Sequence, residues 1–94
     1  MSVELFVDND DAYLAWLASN GDGWVVNARP SLDRRYLKLH SAQCFHINRP
    51  DGAPGAWTER NYVKVCGSTV PELESWLQAR SGATPESSCY CLAA

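Results

Sequence analysis

Two short runs, YLKLH (Tyr36–His40) and NYVKVC (Asn61–Cys66), alternate apolar and polar residues at a period of two. That period belongs to a strand, because successive side chains leave a pleated backbone on opposite sides. Leu37 and Leu39 therefore share one face, with Tyr36, Lys38 and His40 on the other. Val63 and Val65 oppose Tyr62, Lys64 and Cys66 in the same way. Short connections between the middle strands imply antiparallel pairing, since parallel neighbours need a long crossover.

The flanking segments supply the rest. VELFV (Val3–Val7) is rich in strand formers and stops at DNDD, where Asn9 or Asp10 can cap a following helix. Acidic charge in that first turn also suits the helix dipole. Tyr13, Leu14, Trp16 and Leu17 fall at helical spacing, with Gly21 placed for a left-handed cap. GWVVNA reads as a second strand, and CFHI as a further one after a turn at SAQ. NRPDGAPG is a surface loop on its prolines and glycines. In STVPELESWLQARSG, Thr69 and Glu72 have the spacing of a capping box, Pro71 suits the first turn, and Gly82 can end the helix. Leu73, Trp76 and Leu77 form its apolar stripe. The expectation is one α+β domain spanning residues 1–94, with an antiparallel sheet of three to four strands. Both helices should pack on one face, and residues 83–94 should form an irregular tail.

A chain of 94 residues buries only about 60–65% of its unfolded surface, which leaves modest stability. Ten aromatic residues (four Trp, four Tyr and two Phe) give that small core large apolar area. Nothing approaches the roughly 18 apolar residues of a membrane span, and MSVELFVDNDD lacks the basic-then-apolar layout of a secretory signal. A soluble, cytoplasmic protein without a membrane partner is expected.

The formal net charge of −3 does not suggest a general nucleic-acid binder, but its distribution is uneven. Residues 1–28 hold Glu4, Asp8, Asp10, Asp11 and Asp22 and no basic residue. From 29 to 64, Arg29, Arg34, Arg35, Lys38, Arg49, Arg60 and Lys64 outnumber Asp33, Asp51 and Glu59. The same stretch holds Tyr36, Phe45, Trp57 and Tyr62. Cations for phosphates and flat rings for bases are what a single-stranded nucleic acid requires, so this segment is the candidate nucleic-acid or anion interface, with Trp57 and Tyr62 as stacking platforms. The same cations also fit the solvated face of a sheet, because only clustering in space makes an electrostatic footprint.

The cysteines are Cys44, Cys66, Cys89 and Cys91. Cys89 and Cys91 flank a single residue and would close a strained ring, so disulfides would have to be crosswise. In a reducing compartment, metal ligation or burial as free thiols is the alternative. LHSAQC with the distant CYC offers imidazole and thiolate ligands in two close pairs, a pattern that suits tetrahedral zinc. The candidate ligands are His40, Cys44, Cys89 and Cys91, with Cys66 as a substitute and His46 behind it. In an extended strand His40 and Cys44 would stand about 13 Å apart, so they share an ion only if SAQ turns.

From Tyr36 to Leu92 this arrangement resembles the zinc-binding domain of the Ada-type DNA-repair methyltransferases, a small α+β domain. It is also similar to small bacterial modules with a His-x3-Cys, a KVC-like strand, a Trp helix and a terminal cysteine pair. The Ada resemblance implies zinc. His40 replaces the cysteine that accepts the methyl group in that family, so alkyl transfer does not carry over. Cys89 and Cys91 are one residue closer than the family's second pair.

The sequence contains no Gly-rich phosphate loop, HExxH motif or nucleophile elbow. A non-catalytic binding module is the leading expectation, with nucleic acid ahead of an acidic protein as partner. Two rivals stand beside it. One is a cysteine-dependent enzyme using Cys44 or Cys66 with a histidine, which needs a base within hydrogen-bond reach. The other is an interaction or inhibitor module whose acidic amino-terminal third meets a basic protein.

Overall fold

The computed structural model describes residues 3–43, 58 and 62–87. In chain order the elements are β1 (Glu4–Phe6), α1 (Asp10–Ser19), β2 (Trp24–Ala28), β3 (Leu37–Ser41), β4 (Val63–Gly67), α2 (Val70–Ser81) and β5 (Glu86–Ser87). The expected α+β class and the order of strands and helices hold. The strand expected at CFHI and the terminal Cys-Tyr-Cys lie outside the described residues.

One sheet has the order β1-β4-β2-β3-β5. Its first four strands are antiparallel, and β5 adds to β3 in parallel through Lys38↔Glu86 and Leu39↔Ser87. The segment expected to be an irregular tail therefore supplies a fifth, two-residue strand.

The helices do not share a face. Leu73 and Leu77 of α2 pack with Val26, Ala28, Leu37, Leu39, Val63 and Val65. Tyr13 and Leu17 of α1 pack with Val25, Ala42 and Cys66, flanked by Phe6 and Trp16. Val25 and Val26 are consecutive strand residues, so the two helices cover opposite sides of the sheet. The topology explains why. β1 and β2 run the same way with β4 between them, and β4 and β5 run the same way with β2 and β3 between them. Both crossovers, through α1 and through α2, step across the sheet in one direction but leave from strands of opposite polarity. Right-handed connections, the strong rule for such units, then put the helices on opposite faces. The alternation in β4 consequently separates two buried sides: Val63 and Val65 lie under α2, and Cys66 under α1.

Local sequence fixes both helix starts. The side chain of Asn9 accepts from the Ala12 amide at 3.0 Å, and Thr69 with Glu72 completes the capping box, each satisfying amides that have no partner within the helix. Gly82 ends α2 in the left-handed region at φ 72°. The end of α1 differs from expectation. Asn20, not Gly21, is the cap, with φ −133°, and its side-chain amide donates to the Trp16 carbonyl at 2.9 Å. That bond satisfies a terminal carbonyl and makes a left-handed glycine unnecessary.

The acidic turn before α1 has a second task. Asp10 is buried and accepts from both the backbone amide and the hydroxyl of Thr58, at 2.7 and 2.8 Å. Thr58 in turn accepts from the Asp8 and Asn9 amides. Among the described residues no helix is long and apolar enough to cross a membrane.

Gly23 sits where α1 meets the sheet. A Cβ there would lie 2.8 Å from Trp16 Cη2 and 2.9 Å from the Gly67 carbonyl oxygen. The Gly67 backbone cannot give way without disturbing β4, so Gly23→Ala should destabilise the fold by roughly 1–3 kcal/mol through overpacking. Urea denaturation checks this; an unchanged midpoint would contradict the close approach.

Candidate functional site

The α1-side face of the sheet is built in rows across the strands. Val25 of β2 lies opposite both Cys66 and His40, and Asn27 opposite both Lys64 and Lys38. Two residues further along the same face, beyond the ladder, come Tyr62, Arg29 and Tyr36. Helix α1 covers the first row with Tyr13 and Leu17. The next two rows, Lys64–Asn27–Lys38 and Tyr62–Arg29–Tyr36, hold three cations and two tyrosines.

Tyr36 is the hub of these rows. The Arg29 guanidinium lies 5.4 Å and the Lys38 amine 5.5 Å from its ring centre. The Tyr62 ring is 5.5 Å away, tilted by 38°. Cations at this range are attracted to the negative ring faces, each such contact contributing about 0.5–1 kcal/mol near a surface. Lys64 lies 5.8 Å from the Tyr13 ring and 5.9 Å from that of Tyr62. Its amine donates to Asn27 Oδ1 at 2.7 Å, which turns the amide nitrogen toward the Tyr36 hydroxyl at 3.5 Å.

The β2–β3 loop closes the open end of this face with two consecutive turns. The Leu32 amide donates to the Arg29 carbonyl at 2.8 Å and the Tyr36 amide to the Asp33 carbonyl at 3.0 Å. Leu32 is held at φ 56°, an unfavourable conformation for a branched side chain. Its side chain packs into the α2-side core, and Ser81 Oγ donates to its carbonyl at 2.7 Å. Asp33 accepts from the Arg35 amide, Nε and Nη2 at 2.9, 3.2 and 2.9 Å. Those side-chain hydrogen bonds lower the Asp33 carboxyl to about 2 and raise Arg35. Arg29, Asp33, Arg35 and Tyr36 line a surface concavity of about 400 Å³.

Of the residues expected to bind nucleic acid, Arg29, Lys38, Tyr62 and Lys64 come together, and Arg35 joins them at the loop. Arg34 is exposed on the same turn. Arg49, Trp57 and Arg60 lie outside the described residues. The sequence reading passed over Asn27, the one polar side chain in WVVNA, and gave Tyr36 no particular role.

The zinc expectation finds little support in the part of its ligand set that is described. His40 and Cys66 flank Val25 from neighbouring strands, which sets their backbones about 10 Å apart. Among the described residues no group of three or more His, Cys, Asp or Glu could hold a metal ion. Cys44, His46, Cys89 and Cys91 lie outside them. Burial pushes the Cys66 thiol well above its ordinary value of 9.0; it keeps its proton, which disfavours nucleophilic attack. In the acidic third, Asn9 and Asp10 are taken up by the α1 cap and by Thr58.

Lys64 is only 2% exposed, and burial pulls its amine down to about 8, with Cys66 and Asp10 partly countering. Below pH 8 both folded and unfolded chains hold this proton, and the full cost of the buried charge is present. Between about 8 and the ordinary 10.5 the unfolded chain holds a proton that the folded one has released, so rising pH favours folding. In the unfolded chain Cys66 and Tyr13 ionise from their ordinary 9.0 and 10.0 while burial keeps them protonated in the fold, which opposes the gain. Comparison with Lys64→Met isolates the lysine. The stability of the parent relative to this variant should rise by up to about 3 kcal/mol from pH 8 to 10.5, measured by urea denaturation. A flat difference would contradict the assignment.

Comparison of the chain with protein-family models, with curated proteins and with solved structures found no match.

Proposed function

We propose that the chain is a small, non-catalytic binding module whose basic, aromatic sheet face takes single-stranded nucleic acid. The supporting observation is the pair of cross-strand rows that gather Arg29, Tyr36, Lys38, Tyr62 and Lys64, separated by up to 35 positions in the chain, around two adjoining tyrosine rings. Arg29 is exposed and Lys38, Tyr36 and Tyr62 are half-buried, so charged and aromatic residues reach solvent together. Phosphates meet the cations while bases lie against the tyrosines, a sequence-tolerant mode because every base has a flat face. Lys64 is too deep to touch a ligand. Its part is to supply positive potential beneath the face and to hold Asn27.

Fluorescence anisotropy of a labelled mixed-sequence strand between 50 and 200 mM salt tests the reading. Affinity should fall steeply with salt. Arg29→Ala with Lys38→Ala should lower the slope of log K against log salt by about 1.4, near 0.7 per phosphate contact, and weaken binding roughly tenfold. Tyr36→Ala should cost about 1 kcal/mol with little change in slope. Binding indifferent to salt and to these substitutions would remove the proposal.

A further inference from the structure

The rows of cations and rings end abruptly at the β2–β3 loop, where the concavity of about 400 Å³ opens between Arg29, Asp33, Arg35 and Tyr36. Among the described residues two rows of the face lie beyond the one packed by Tyr13 and Leu17, with Lys64 of the nearer row still buried beside Tyr13, and they span about 7 Å at the strand rise. A strand laid along them meets the loop within about that distance. We infer that this concavity takes the terminal phosphate of a nucleic-acid strand, so that the module reads strand ends. The inference rests on the nucleic-acid reading of the same face.

Three observations converge on it. First, two arginines and a tyrosine line one small hollow with Asp33. A phosphate monoester brings nearly two negative charges and three acceptor oxygens, which match forked donors better than the single charge of a diester within a strand. Second, Arg35 is oriented in advance. Its side chain is 85% exposed and would otherwise sweep through many rotamers, but Asp33 grips Nε and Nη2. The Nη1 donors stay outside that grip, and less ordering remains to be done on binding. Third, the loop is held against its own preference. Leu32 at φ 56° persists because the core and Ser81 fix it, and strain sustained in this way gathers at ligand clamps. Here it turns the chain so that Arg29 and the Asp33–Arg35 pair line the same hollow.

Asp33 would repel a phosphate if it stood alone. Arg35 neutralises it, and with Arg29 the hollow keeps a net positive charge near neutral pH.

The test compares one strand sequence with a 5′-phosphate, with a 3′-phosphate and with neither, beside an unphosphorylated strand two nucleotides longer, whose two added internal diesters match or exceed the charge of the terminal phosphate. Binding to the full chain is read by anisotropy. The expected result is about tenfold tighter binding of one phosphorylated end over both the bare and the lengthened strand. Inorganic phosphate should compete away that advantage alone. Arg35→Ala should abolish the advantage and leave the thermal midpoint unchanged, because Arg35 lies on the surface. Arg80→Ala, which removes a cation stacked on Trp76 at 4.0 Å outside the site, should preserve it. Equal affinity for all strands, or an end preference that survives Arg35→Ala, overturns the inference and leaves the binding face standing. Failure of the parent protein to bind any strand overturns both.

Discussion

The middle of the sheet is sealed on both sides, and the remaining features follow from how the chain accommodates that. β2 and β4 are neighbours with α2 over one face and α1 over the other, so a strand that reads as half-polar must bury its polar half. Lys64 meets this demand by ending on Asn27 Oδ1 at 2.7 Å and lying beside two tyrosine rings. A charged donor on a neutral carbonyl is a strong hydrogen bond, though it only partly offsets the loss of water around an ammonium. The amine's descent to about 8 records the remainder. In return the amide of Asn27 has one orientation, and the tyrosine above it gains a defined neighbour.

The same economy runs through the loops. Asp10 is a first-turn residue of α1 and also the acceptor that holds Thr58, which ties a residue 48 positions away to the helix start. Ser81, in the last turn of α2, donates to the strained Leu32 carbonyl. A helix on one face of the sheet thereby steadies the loop that borders the cation-rich rows on the other. Neither contact follows a local rule; each is a long-range bond between residues that local patterns assign to capping or to a helix end.

What the sequence made legible was what repeats locally. The alternation in YLKLH and NYVKVC gave the right residues to each face of β3 and β4, and the Thr69–Glu72 box marked the start of α2 because its bonds span three residues. The layering was not legible from periodicity. Alternation says that two faces differ, not that one meets water, and in β4 the side of Lys64 and Cys66 is as buried as that of Val63 and Val65. The handedness of two crossovers decides the matter, and it requires knowing that β4 lies between β1 and β2. At the site, Arg29, Lys38, Tyr62 and Lys64 were singled out by type and region. Tyr36 as their hub was hidden because its position depends on the register that sets β3 and β4 on either side of β2.

The composition of the face also bears on what it can hold. Were it only a solvated surface, the cations would be expected to spread apart, since like charges repel and each gains by full hydration. Instead Arg29, Lys38 and Lys64 approach the same pair of rings, and Asp33, the carboxylate of the β2–β3 loop, is engaged by Arg35. Ring quadrupoles relieve part of the repulsion, yet a tyrosine face is a weaker counterpart to a cation than an anion is. A phosphate placed among Arg29, Lys38 and the two rings would relieve the remaining repulsion directly. This distinguishes the α1-side face from the acidic amino-terminal turn, where cap and loop bonds already engage Asn9 and Asp10.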